Sequence, residues 1–234
     1  MGATQGTFNG MAASFTVSDT QINTTVPGGA TTGKIRVTTP AGSVDSASAF
    51  TVTGSSTSTS VEVRVSASAD DAEEQSSGTV SLTSSDLELV YDGNNQTVGI
   101  RFNGMNVPRG ATIVNAYVQF QVDETNSEPT ALTIKGQAID TAPTFTTATK
   151  NVTSRTRTAA SVAWSPPAWT TVGAAGPDQR TPNITSVVQE IVSRPGWSSG
   201  NSLVVIISGT GHRTAKSYDG SKAGAPLLHV EYKQ

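Results

Sequence analysis

The chain has 234 residues, of which 14% are charged, and its formal net charge is −3 at pH 7. No basic stripe of the kind found in nucleic-acid binders is present, and no apolar run approaches the ~20 residues of a membrane span. The chain has no cysteine, which excludes disulfides, thiolate metal sites and thiol catalysis. Abundant Ser, Thr, Gly and Asn disfavour helix interiors and favour strands and turns, so the composition predicts an all-β fold.

Residues 1–53 show short strands in which apolar and polar residues alternate. Turns containing Pro27-Gly28-Gly29 and Pro40-Ala41-Gly42 separate these strands. The alternating apolar residues are Ala13, Phe15 and Val17, then Ile35 and Val37, then Ala47, Ala49 and Val52. The pattern predicts a small first β domain.

Residues 6–53 carry the strings Phe8-Asn9-Gly10, Val26-Pro27, Gly33-Lys34-Ile35 and Phe50-Thr51-Val52. This segment resembles the later part of an IPT/TIG immunoglobulin-like domain. The resemblance implies a β-sandwich whose opening strands are missing from the sequence. Three explanations stay open: a truncated fragment, rearranged strands within the chain, or a strand added from another chain, which would make the protein a filament subunit.

A Ser/Thr-rich stretch at residues 54–60 reads as a linker, and residues 61–234 form the second predicted domain. Its strands again alternate, and the continuous apolar run Leu203 to Ile207 predicts a central strand buried on both faces. One helix is predicted over residues 184–192, with Asn183 as its N-cap and Pro195 beyond its end.

Several strings of the second domain carry a further resemblance: ADDAEEQSSGTVSLTSSDLELV, VGIRFNGMNVPRGATIVNAYVQFQVDE, WSPPAW, NITSVVQEIV and SYDGSKAGAPLLHVEY. The domain resembles bacterial extracellular jelly-roll modules of the DNRLRE type and, more distantly, carbohydrate-binding modules. The resemblance implies a secreted modular protein with a jelly-roll β-sandwich, in a group where sugar binding and structural calcium are common.

Three acidic residues are candidate calcium ligands, because calcium takes six to eight oxygen ligands. Asp71 and Glu73 follow the first strand of the second domain, and Asp219 precedes its last strand. The jelly roll implied by the resemblance brings those two strands together. The alternative is a set of solvated loop carboxylates.

Two groups of residues are candidates for holding a sugar. Trp164 and Trp169 flank a proline-stiffened loop, and Trp197 is a further aromatic candidate. A polar row on the non-core side of the strands offers planar hydrogen-bonding groups, and it comprises Arg101, Tyr117, Gln119, Gln121, Lys135 and Gln137. The alternatives are tryptophans that cap the core and an ordinary wetted sheet face.

No catalytic motif stands in the right context. The string Gly196-Trp197-Ser198-Ser199-Gly200 matches a nucleophile elbow, but it follows a helix and precedes a strand, the reverse of what that motif requires. The two histidines, His212 and His229, have no metal-ligand spacing. We therefore expect a non-enzymatic, secreted or cell-surface bacterial module that binds polysaccharide and a structural calcium ion. The alternative is a structural or adhesive subunit that contacts neighbouring subunits by strand exchange.

Overall fold

The computed structural model describes residues 2–18, 20–52 and 58–234. The chain divides into two compact units, Met1–Ser56 (unit 1) and Thr57–Gln234 (unit 2). Antiparallel strands dominate both units, so the prediction of an all-β fold is confirmed. Residues 54–57 of the predicted linker lie outside the described residues. The predicted C-terminal end of the linker, residue 60, is wrong, because Thr59 and Ser60 already belong to the first strand of unit 2.

Unit 1 contains a four-stranded sheet in the order β2-β1-β5-β6 and a separate hairpin of β3 and β4. Phe8 is deeply buried, and its ring meets that of Phe50 edge to face, with ring centroids 5.3 Å apart. Residues 47–52, all described, form no strand, and Phe50 makes only an isolated bridge to Gly33. The strands are β1 (Gln5–Phe8), β2 (Met11–Ala12), β3 (Phe15–Val17), β4 (Ile22–Thr24), β5 (Ile35–Thr39) and β6 (Gly42–Asp45).

Unit 2 is built from strands that run from Thr59 to Lys233. They are β7 (Thr59–Arg64), β8 (Asp71–Gln75), β9 (Val80–Ser81), β10 (Asp86–Glu88), β11 (Tyr91–Asp92), β12 (Asn94–Phe102), β13 (Thr112–Gln119), β14 (Val122–Glu124), β15 (Ala131–Gly136), β16 (Val162–Trp164), β17 (Leu203–Thr210), β18 (Thr214–Lys216) and β19 (Leu227–Lys233). The acidic segment Asp71–Gln75 is thus a strand rather than a loop.

Two layers enclose the main core of unit 2. One layer, the large sheet, has the order β16-β15-β17-β12-β8-β9, with β11 paired to β12. The facing layer consists of β13-β19-β7 and β10-β18-β14. Alternate apolar residues from both layers meet in one cluster, for example Ile100 and Val205 from the large sheet and Val118 and Val230 from the facing layer. The inner faces are therefore the apolar ones, as in a β-sandwich.

Strand β17 is the central strand that the apolar run predicts. It lies between β15 and β12, and every residue from Leu203 to Ile207 is buried. Val205 and Ile207 face the main core, whereas Val204 and Ile206 belong to a second cluster on the outer face of the large sheet. Phe145 and Val152 also belong to that second cluster. Residues 139–152 (the covering segment) therefore form a second apolar layer on the outer face of the large sheet.

The predicted helix is present as α1 (Thr185–Val192), and its apolar stripe Val187, Val188, Ile191 and Val192 is buried. The N-cap prediction is wrong by one residue: Ile184 occupies that position. The Oδ1 atom of Asn183 still accepts a hydrogen bond of 2.8 Å from the backbone N–H of Thr185. Among the described residues no helix is long and apolar enough to cross a membrane.

A substitution at Gly99 tests whether residues 139–152 pack on β12. A Cβ atom at this position would lie 2.6 Å from Cζ of Phe145 and 3.1 Å from Cγ1 of Val152. We expect Gly99→Ala to lower the free energy of unfolding of unit 2 by about 1–3 kcal/mol, the usual cost of overpacking. The control is Gly176→Ala, where the nearest atom is 3.7 Å from the added Cβ. Denaturant unfolding checks both variants, and equal stability would show that residues 139–152 do not pack on β12.

Candidate functional site

The tryptophans predicted to stack on a sugar ring are core residues. Trp164 is 4% exposed, Trp169 is fully buried and Trp197 is 1% exposed. Trp164 stacks on Phe120, with ring centroids 5.7 Å apart, and the indole N–H of Trp169 donates to the carbonyl of Asp178. This burial contradicts the prediction that they contact a sugar, because an indole must be exposed to stack on a ligand.

The predicted polar row is divided between the two layers of unit 2. Arg101 and Lys135 lie on β12 and β15 of the large sheet. Tyr117 and Gln119 lie on β13 of the facing layer, and Gln121 follows directly after that strand. Since the outer faces of a sandwich point in opposite directions, no single surface contains all five residues. The prediction of one continuous row is therefore wrong.

The large-sheet half of the row is engaged in internal contacts. Arg101 forms an ion pair of 2.6 Å with Asp70 and also donates to the carbonyl of Ala142. Nζ of Lys135 lies 3.4 Å from the carbonyl of Thr158, and Gln137 is buried against Arg155. Arg101 therefore contacts the segment of residues 139–152 directly, and Gln137 contacts it through Arg155, which donates to carbonyls of that segment.

The other half of the row forms a stacked ladder on the outer face of β13 and β19. The Tyr117 ring stacks on His229 at 4.7 Å, and the Arg180 guanidinium lies 4.0 Å from the centre of the same ring. Arg180 also donates to the side-chain oxygen of Gln119, and Gln121 donates to the carbonyl of Gly173. His229 and Arg180 both contact the Tyr117 ring, which reduces the ring surface that a ligand could reach.

Two of the three candidate calcium ligands share one narrow gap between β8 and β10. Asp71 and Glu73 line this gap together with Asp86, Ser84 and Ser217. Asp71 accepts a hydrogen bond of 2.8 Å from the backbone N–H of Tyr218, and Glu73 accepts one of 2.7 Å from that of Glu88. Asp219 is not part of the lining, and its carboxylate accepts from the hydroxyl of Ser68.

Burial is the main cause of the raised pKa values of Asp71 and Glu73. Loss of water around Asp71 raises the pKa of its carboxyl to about 7, and the charge of Asp219 adds to the rise. Burial raises the pKa of Glu73 to about 9, and the neighbouring carboxylate of Glu88 adds to the rise. Both shifts follow from placing carboxylates close together in a gap with little access to water.

The described residues do not bring the three predicted calcium ligands together. Nowhere in the described ranges are three or more His, Cys, Asp or Glu side chains grouped so that they could hold a metal ion. Asp71 and Glu73 come together, but Asp219 is directed to Ser68 instead of the gap. Calcium binding therefore stays a prediction.

An open polar cleft of about 250 Å³ lies on the outer face of the large sheet, at the margin of the covering segment. Its lining consists of polar residues and glycines, and it includes Asn95, Thr97, Ser208 and Lys150. Glu74 also lines the cleft, but its carboxylate already accepts from the backbone N–H groups of Val152 and Thr153, at 2.7 and 3.0 Å.

An exposed aromatic residue stands next to this cleft. Tyr91 is 44% exposed and is the cross-strand partner of Asn95 in the β11–β12 hairpin. Side chains of directly paired residues project from the same face of a hairpin, so Tyr91 shares a face with Asn95 of the cleft lining. Its ring meets that of His212 edge to face, with ring centroids 6.3 Å apart. The sequence reasoning missed Tyr91, Asn95 and Ser208. The only available signal was the alternation of polar residues at 95, 97 and 208 with core residues.

The nucleophile-like string Gly196–Gly200 lies between α1 and β17, as the sequence order requires, and the ring of Trp197 is buried with its N–H on the carbonyl of Val107. His229 contacts Glu62 and Glu231, and His212 contacts Asn126 and Thr214. Neither histidine contacts a serine of that string.

No family model matches this chain, and no curated protein matches it. The fold and the cleft define the class: a chain whose second unit is a two-layered all-β module with a polar cleft on one outer face. The resemblances to IPT/TIG and DNRLRE-type domains stay predictions.

The buried carboxyl pair predicts how stability depends on pH. Because both folded-state pKa values exceed the unfolded ones, the protonated pair contributes its full stability below about pH 4, and this contribution is lost as pH rises through about 7 and about 9. Asp71→Asn and Glu73→Gln mimic the protonated forms. We expect each to raise the free energy of unfolding at pH 8 by about 1–3 kcal/mol and to flatten its pH dependence.

The matched control is Asp92→Asn, at an exposed carboxylate on β11. Thermal unfolding between pH 4 and pH 9 measures the effect, with and without a chelator. If the chelator lowers the melting temperature of the wild type and the two amide variants are destabilised at pH 8, a bound cation holds the pair and the predicted sign is wrong.

Proposed function

We propose that unit 2 is a non-catalytic module that binds polysaccharide, as part of a secreted or cell-surface protein. The polar cleft beside Tyr91 is the observation that carries this proposal. Saccharides present many hydroxyl groups, and the amide of Asn95 and the hydroxyls of Thr97 and Ser208 supply both donors and acceptors for them.

The remaining features of the cleft fit a chain-like ligand. The cleft is open, so a polymer can pass along it without threading. An exposed ring such as that of Tyr91 offers an apolar face with a polar edge, which suits a sugar ring. The cysteine-free composition with few charges is consistent with an exported module.

Affinity electrophoresis through gels containing single polysaccharides tests this function. We expect at least one polymer to retard the wild type, and we expect Tyr91→Ala and Asn95→Ala each to weaken binding about tenfold, since one hydrogen bond or stacking contact is worth about 1 kcal/mol or more.

The control is Asn115→Ala, which removes an amide from β13 on the facing layer. If no polymer retards the wild type, the proposed function is wrong. If Asn115→Ala weakens binding and Asn95→Ala does not, the ladder around Tyr117 binds the sugar instead.

Unit 1 supports a second candidate function, that of a structural or adhesive subunit completed by a strand from a neighbouring copy. An apolar cleft of about 160 Å³ opens between the four-stranded sheet and the β3–β4 hairpin, with Phe15, Ile22 and Val37 in its lining. Its neighbours include exposed apolar residues such as Val17, which is 44% exposed. An added strand would bury this surface and pair with a free sheet edge.

Light scattering after size-exclusion chromatography tests this second function. We expect the mass to rise with protein concentration, and we expect Val37→Asp to abolish the rise by placing a charge in the cleft. The control is Val26→Asp, at a site that is 42% exposed and lies outside both the strands and the cleft lining. A mass of one chain at every concentration would rule out self-assembly.

A further inference from the structure

The ammonium group of Lys216 and the carboxylate of Asp123 are in direct contact across two neighbouring strands of unit 2. Lys216 ends β18, and Asp123 is the middle residue of β14. The two side chains are only 26% and 21% exposed, so most of each is removed from water. The pair joins residues 93 positions apart in the sequence.

An irregularity in strand pairing directs Asp123 toward Lys216. Val122 pairs with Ala215 and Glu124 pairs with Thr214, so two residues of β14 advance against one of β18. Asp123 is the extra residue of this bulge, and bulges of this kind change the direction of a side chain. The bulge therefore directs the carboxylate of Asp123 into contact with the ammonium group of Lys216.

Lys216 is held in place at its backbone and along its side chain. Its backbone N–H donates to the carbonyl of Gln121 at 2.8 Å. The turn that contains Gly224 covers its side chain, because a Cβ atom at Gly224 would lie 3.2 Å from Cγ of Lys216. Within the described residues Asp123 is the carboxylate at ion-pair distance from Lys216, and Asp86, the cross-strand neighbour on β10, is farther away.

We propose that Lys216 and Asp123 condense to an intramolecular isopeptide bond that links β18 to β14. A proton passes from the ammonium to the carboxylate, and the lone pair of the neutral Nζ atom then attacks Cγ of Asp123. The new N–C bond forms, the C–O bond to one carboxyl oxygen breaks, and this oxygen leaves as water with two hydrogens that were on the nitrogen. Nothing is oxidised or reduced, and both charges disappear.

Two physical effects favour the condensation. The ion pair holds Nζ of Lys216 against the carboxylate of Asp123, which replaces a bimolecular encounter, and well-oriented groups react as if at about 10⁵ M or higher. The neutral amide also relieves the cost of keeping two charges largely out of water. A covalent link between strands distant in sequence restricts the unfolded chain, as a disulfide would in a protein that has cysteines.

Intact-mass spectrometry of the denatured full chain tests the bond. We expect the wild type to be lighter than its sequence mass by one water molecule, and we expect trypsin to release a branched peptide that contains both residues. Lys216→Arg preserves the ion pair but cannot condense, so it should show its full sequence mass and a melting temperature lower by roughly 10 °C.

Asp123→Asn separates a covalent bond from an ion pair. An asparagine side chain can condense with the lysine and lose ammonia, giving the same amide, so this variant should be lighter than its sequence by one ammonia molecule and as stable as the wild type. The proposal is overturned if the wild type shows its full sequence mass and trypsin releases Lys216 and Asp123 on separate peptides.

Discussion

Burial of β17 on both faces is the constraint on which the rest of unit 2 depends. Five consecutive apolar residues, Leu203 to Ile207, place side chains alternately into the main core and onto the outer face of the large sheet. The outer face must then be covered, because Val204 and Ile206 would otherwise lie in water. Residues 139–152 provide that cover, and Phe145 and Val152 pack on the strand.

The covering segment also determines which side chains of the outer face are exposed. Arg101 and Gln137 hold the covering segment in place through Ala142 and Arg155, so they are not free to contact a sugar. At the edge of the cover the outer face changes from apolar to polar, and Asn95, Thr97 and Ser208 are left in an open cleft. The covering segment therefore engages Arg101 and Gln137 in internal contacts, and its edge is where the candidate cleft lies.

The two units differ in how much apolar surface they enclose. Unit 2 contains two apolar clusters, whereas the sheet and the hairpin of unit 1 leave a cleft between them. A small β unit buries too little surface to be strongly stable by itself. The apolar cleft of unit 1 and the polar cleft of unit 2 therefore differ in chemistry, and the partners proposed for them differ accordingly: a β-strand for the first and a polyhydroxylated polymer for the second.

Local patterns predicted the strands and the helix of unit 2 well, because periodicity depends only on which face of an element is apolar. The run Leu203–Ile207 and the stripe Val187–Val192 are examples. Those patterns predicted poorly which polar side chains share a surface. Polar residues at alternate positions on β12 and β13 look alike in sequence, although Arg101 and Tyr117 belong to layers that face in opposite directions.

By itself, the sequence determined the all-β class, the central strand and the buried face of the helix, because alternation and composition are local properties. Only the tertiary structure decided that the predicted sugar-binding tryptophans are core residues, that Asp71 and Glu73 meet in a gap without Asp219, and that a bulge brings Asp123 to Lys216. Strand register and sheet order set these contacts between residues far apart in the chain, and no local pattern specifies either one.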